Sequence, residues 1–349
     1  MGTYIVRKRN SLQSVLNKSK RGDAVVVTDG YDATNDSWPV TIDTEIRIES
    51  NPHNRIAVPS AGEASFILDL NGSNRPPGIT LVNMYVDANG ADSAFRVQNA
   101  RFCNFVGCLA ENAAQHGYLL LNRNHPPNSN RFFYCDAHSN RGNGFFIDDR
   151  AHSTTFVGCR AVGNDGRGVW SQNNYASSWI GGGLERNGDQ GAYIDGSEVF
   201  TLSEAYIEGN AQNTSDQVLF AKAQTATLAE TYINGYDAPE TNGVRFLESN
   251  NCSLRNIEYR DLSGLVVNDD SLNTDLHRDS HFSLDSTPFL VADTGEQTRN
   301  YGVLEPTDLS EVTGRYEGER GINNGTTGPF GLAIWNGSAW VSMLNGIAI

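Results

Sequence analysis

The stretch that decides the fold runs from Phe95 to Asn210. It divides into FRVQNARFCNFVGCLAENAAQHG (95–117), FFYCDAHSNRGNG (132–144), FFIDDRAHSTTFVGCRAVGNDGRG (145–168), VWSQNNYASSWIGGGLERNGDQG (169–191) and AYIDGSEVFTLSEAYIEGN (192–210). These segments share a grammar: a strand ends at an Asn, a few residues reach a Gly, and another strand begins. The Asn positions are Asn112, Asn140, Asn164, Asn187 and Asn210, and the Gly positions that follow are Gly117, Gly144, Gly168 and Gly191. Three columns run through the repeat. Phe105, Phe132, Phe156, Trp179, Leu202, Leu228 and Leu254 form one. Cys108, Cys135 and Cys159 form a second, continued by Gly182 and Ala205. Ala110, Ala137, Ala161, Leu184 and Ile207 form a third. Short strands with inward small and apolar residues, one circuit per repeat, predict a parallel β-helix. Asn and Gly at its corners fit, because both tolerate the left-handed backbone of a tight corner.

The pattern resembles the right-handed parallel β-helix of pectin-lyase-like proteins over about residues 25 to 285. That fold carries lyases, hydrolases, epimerases, adhesins and viral spikes, so the resemblance implies an architecture rather than an activity. Residues 1–24 differ. Leu12, Val15 and Leu16 have helical spacing, which predicts a short amphipathic helix capping the first coil and blocking edge pairing. Residues 286–311 read as a linker. Residues 312–349 read as a small β module for oligomerisation or binding, with GLAIW and AWVSM as a hairpin about Asn336-Gly337. This Trp- and Gly-rich tail resembles the closing modules of tailed-virus spike and fibre proteins, and implies a spike, fibre or turret subunit.

Composition narrows the partners. Of 349 residues, 35 are Gly and 36 are Asn, which argues against a helical bundle. No apolar run approaches the roughly 20 residues that span a bilayer, so no membrane insertion by a helix is expected. No apolar segment follows the basic Arg7, Lys8 and Arg9 either, so no export signal is expected. Acidic residues number 41 against 26 basic, a formal net of −15, and only four of the basic residues are Lys. Such a balance disfavours nucleic acid. It suits a protein whose self-repulsion is screened by salt, and resembles haloarchaeal composition. The five cysteines contain no C-x-x-C pair, so buried thiols are expected, with no metal and no cofactor.

Candidate site residues lie along one set of strands. Leu120, Phe146, Trp170, Tyr193 and Leu219 read as an outward row on successive coils, a stripe that implies a partner. That partner is either a glycan stacked on the rings or a copy of the chain packed about a three-fold axis. Beside the row, Asp148, Gln172 and Asp195 share one place on three coils. Asp148 and Asp195 are then two coils apart, near the separation used by inverting glycosidases. Arg150 and His152 lie close in sequence and Tyr175 is a candidate proton acceptor. Glu185 and Glu208 form another pair, one coil apart. Two Pro-Pro loops, 70–78 and 122–131, leave the helix two coils apart. The second offers Asn122, Arg123, Asn124 and His125 to a glycan.

The expectation is therefore a homotrimeric spike, fibre or turret subunit at the surface of a haloarchaeal tailed virus, beside other virion proteins. It would attach to a host glycan or glycoprotein. The alternative is an extracellular or virion-borne polysaccharide lyase or glycoside hydrolase.

Overall fold

The computed structural model describes residues 1–59, 62–71, 78–214, 216–236, 242–260 and 262, and beyond these the backbone of short strands between 267 and 342. Two units are distinguished, Met1–Asn300 and Tyr301–Ile349.

The first unit is a parallel β-helix. Each coil lays one strand in each of three sheets, as Arg131–Phe133, Asp136–His138 and Phe145–Ile147 do. The first sheet has 13 strands, from Thr3–Val6 to Arg299–Asn300. The second has 10, from Arg55–Ala57 to His281–Phe282, and the third has 11, from Val40–Ile42 to Val291–Asp293. The first strand and the last two of these lie outside residues 25–285, so the sheets reach into both flanking segments.

The inward columns stack as rings on rings. Phe105 and Phe132 centroids are 4.5 Å apart, Phe132 and Phe156 4.8 Å, and Phe156 and Trp179 5.2 Å. A second pile from the third sheet, Phe95, Tyr118 and Phe145, meets the first edge-to-face. Burying each such ring contributes about 2–3 kcal/mol. All five thiols are free and buried, and burial pushes Cys103 up to about 12.

The corners divide their work differently from the expectation. The left-handed position between second and third sheets is filled by Asn112, Ser139, Gly163, Arg186 and Gly209, with φ of 56°, 51°, 60°, 52° and 60°. Asn140, Asn164, Asn187 and Asn210 come one residue later and are buried as an internal ladder. The Asn187 amide donates to Asn210 Oδ1 at 2.8 Å and to the Ala161 carbonyl at 3.1 Å. Asn187 Oδ1 accepts from the Asn164 side chain at 2.8 Å and from its backbone N–H at 3.2 Å. The glycines after them are needed for close approach rather than for their torsions. A Cβ on Gly168 would lie 2.5 Å from the Gly191 carbonyl oxygen.

At the N-terminus Leu12–Leu16 is a single helical turn whose Leu12 and Leu16 are buried. The Asp36 carboxylate accepts from the backbone N–H groups of Leu12 and Gln13, each at 2.8 Å, and so caps it. In the second unit Gly331–Trp335 pairs antiparallel with Arg320–Asn323 and with Trp340–Ser342, with Trp335 opposite Trp340.

Candidate functional site

The outward face of the third sheet gathers the aromatic row and the carboxylate column. Strand alternation sends Tyr118, Phe145, Val169, Ala192 and Val218 into the core and their neighbours out. One outward row therefore runs Arg96, Leu119, Phe146, Trp170, Tyr193, Leu219 and Arg245. Leu120, expected in the row, instead pairs with Ile147 and is fully buried, while Leu119 takes the place in the row. The cause is the stacking of Gly117 on Gly144, which leaves Tyr118 opposite Phe145 and shifts the count by one.

Phe146, Trp170 and Tyr193 are half-buried because they cover one another. Phe146 and Trp170 stack at 4.4 Å with 24° between planes, and Trp170 and Tyr193 at 5.9 Å with 25°. His116 packs on Phe146 at 4.9 Å. Ring faces meet along the coil axis, so ring edges line the surface. The Arg167 guanidinium lies 4.7 Å from the Trp170 ring and 4.4 Å from the Tyr193 ring, and its Nε donates to Gln190 Oε1 at 3.1 Å. Burial, helped by Arg96, holds His116 down to about 4, so it is neutral at pH 7.

The carboxylate column flanks the rings. Gln172 pairs with Asp195, and Asp148 directly follows Ile147, whose partner Ser171 directly precedes Gln172. Burial raises the Asp148 carboxyl above the ordinary carboxylate value, against backbone N–H donation from Asp149 and Asn122. Tyr193 donates its hydroxyl to Asp195, and burial together with that carboxylate raises the phenol. Asn122 thus meets Asp148 through its backbone.

Other candidates stand apart. Arg150 is 72% exposed, with Nε 3.4 Å from Asp149 Oδ2. Arg123 turns to Glu63 at 3.3 Å, and Asn124 and His125 donate their backbone N–H groups to Asn99 Oδ1. His152 and Tyr175 touch at 6.1 Å on a bridge between strands, off this face. Glu185 and Glu208 are paired neighbours in the second sheet, each beside its own arginine: Arg160 at 3.6 Å and Arg186 at 4.0 Å. Residues 72–77 of the first Pro-Pro loop, and the side chains of Trp335 and Trp340, lie outside the described residues.

The burial of Arg96 and the stacking of Arg167 escape a sequence reading. Arg96 belongs to the row, yet its side chain is 7% exposed under Glu63, which it meets at 2.6 Å. Arg167 precedes Trp170 by three residues and reaches it by folding back over the corner. The one usable signal is Arg96 itself, which register with Leu119 and Ile67 places on the face.

No protein-family model and no curated protein matches the chain. Solved structures do. The DFA-IIIase of Arthrobacter chlorophenolicus A6 without its lid is similar at 12% identity, over 85% of this chain and 93% of that one, with a TM-score of 0.63. The mannuronan C-5 epimerase AlgE4 A-module of Azotobacter vinelandii is similar at 15% identity, over 80% and 91%, with a TM-score of 0.54. The alginate lyase of Paenibacillus sp. str. FPU-7 is similar at 12% identity, over 86% and 98%, with a TM-score of 0.51. At these identities the likeness is one of fold, the parallel β-helix.

Proposed function

We propose that the outward face of the third sheet is a glycan-cleaving groove in which Asp148 and Asp195 act as acid and base. One observation carries the reading: two carboxyls on one face in unlike surroundings. Asp148 holds its proton to higher pH because it is buried, while Asp195 accepts from the Tyr193 hydroxyl. Two coil repeats put them about 9.5 Å apart. Inverting glycosidases leave about 6.5–9.5 Å for the attacking water. Asp148 would protonate the glycosidic oxygen as its bond to the anomeric carbon breaks. Asp195 would take the proton of the water that attacks the opposite face. Tyr193 orients Asp195, and Gln172 lies between the two to bond a sugar hydroxyl. The printed names of two structural neighbours, an alginate lyase and a mannuronan epimerase, are in keeping with carbohydrate chemistry on this fold.

Asp148→Asn and Asp195→Asn should each lower glycan cleavage by about 10²–10⁴-fold with an unchanged circular dichroism spectrum. Wild type inert on a broad panel of polysaccharides, or full activity in Asp148→Asn, would remove the reading.

A second reading has its own observation. On the first sheet Val106, Phe133, Val157 and Ile180 form an outward apolar column over four coils, half-buried within one chain. Three copies packed along it would make a virion spike that grips a host-surface glycan through the third-sheet face without cutting it.

A further inference from the structure

The groove just proposed has an electrostatic character that selects its substrate, and the inference rests on that reading. The cations on or beside the face are already committed. Arg96 and Arg123 share the carboxylate of Glu63, at 2.6 and 3.3 Å. Arg150 meets Asp149. Arg167 is spread over two rings and bonded to Gln190. Arg245 is 4.0 Å from Asp216. His116 is neutral. Arg141 precedes the strand Phe145–Ile147 and Lys222 follows the strand Asp216–Ala221, and both are exposed to solvent. Among the described residues neither Asp148 nor Asp195 has a cationic partner at ion-pair distance. No cation contributes to the raised state of Asp148, and the partner of Asp195 is a phenol.

We infer that the groove takes a sugar chain without acid groups, a polymer of neutral or N-acetylated hexoses, and rejects polyuronates and sulfated glycans. A uronate would set its own carboxylates against Asp148 and Asp195, inside a chain of net charge −15, with the guanidiniums of the face occupied. Hydroxyl and acetamide groups meet no such penalty. They donate to Asp195, accept from the Asp148 carboxyl and bond Gln172, and their C–H surfaces lie against the ring edges.

The test is isothermal titration of the whole chain with tetrasaccharides of glucose, N-acetylglucosamine, mannuronate and galacturonate. It is run at about 0.1 M and about 1 M NaCl, where the Debye length falls from about 10 to about 3 Å. At least one uncharged tetrasaccharide should bind about tenfold or more tightly than either uronate at both salts. In the Asp148→Asn/Asp195→Asn double variant that preference should shrink to about threefold or less. A uronate bound as tightly as the uncharged sugars overturns the inference while leaving the groove standing. A preference undiminished in the double variant overturns it too. Binding of none of the four overturns the groove, and the inference with it.

Discussion

Asp148 holds the tension between folding and chemistry in one side chain. Its carboxyl is raised from 3.8 because burial disfavours the charged form. A raised folded value means the contribution to stability is full below the unfolded value and is lost as pH rises through the folded one. Above the folded value the ionised group therefore weakens the fold, and there Asp148→Asn should melt higher than wild type. Below about pH 3.5 both forms are uncharged and the difference should vanish. Thermal melts of the pair from pH 3 to pH 8 check this. A variant that melts lower at pH 7 would mean that the backbone donors from Asp149 and Asn122 outweigh burial. Activity carries the opposite sign, since only a carboxyl that keeps its proton can donate it.

At the scale of the element, the Asn ladder rather than the strands closes the corner between second and third sheets. Asn187→Ala would strand the buried Asn164 backbone N–H, leave the Asn164 amide its bond to the Ala137 carbonyl alone, and take a donor from the Ala161 carbonyl and from Asn210 Oδ1, which keeps the backbone N–H of residue 187. Each unmade bond costs about 1–3 kcal/mol, so the loss should be about 3–5 kcal/mol after partial relaxation. Urea unfolding measures it, and a loss below about 1 kcal/mol would show the ladder to be dispensable. The same corner shows what a sequence can and cannot say. The Phe and Cys columns were legible because every member points inward and nothing else satisfies a repeat of that length. The Asn column was legible as a position but not as a role. Asn is credible both in a left-handed turn and as a buried donor–acceptor, and Asn112 does take the first while its four successors take the second. The face of Leu120 was misjudged because Leu119, Leu120 and Leu121 give no alternation to read. The spacing from Gly117 to Gly144 held the answer, since aligning those glycines sets Leu119 against Phe146. The stacking of Arg167 and the cover of Glu63 over Arg96 depend on side-chain paths that no periodicity encodes.

Along the β-helix each strand pairs only with those of the adjacent coils, so stability adds mainly along one dimension. Charge does not obey that rule at low salt. With a net of −15, self-repulsion reaches across several coils when the Debye length is about 30 Å, at 0.01 M, and is confined within one coil at 1 M. The melting temperature, and any oligomer seen by native mass measurement, should therefore fall on dialysis from molar to millimolar salt. An unchanged melt and mass across that range would contradict a protein adapted to salt. A monomer at molar salt would dispose of the spike reading while leaving the groove untouched.

The register of the third sheet turns a distance into a whole number. Gly168 precedes Val169, and Val169 pairs with Ala192, so removing residues 169–191 would splice the chain at equivalent points of adjacent coils. Phe156 would then face Leu202, and Asn164 would meet Asn210, each an exchange the columns already make. Asp148 would become the direct neighbour of Asp195, about 4.8 Å away instead of about 9.5 Å. That shorter gap is the one at which a second carboxylate attacks the sugar itself and the anomeric configuration is kept. On a solenoid, the handedness of the product is counted in coils, and a single duplication or loss of one coil is enough to change it.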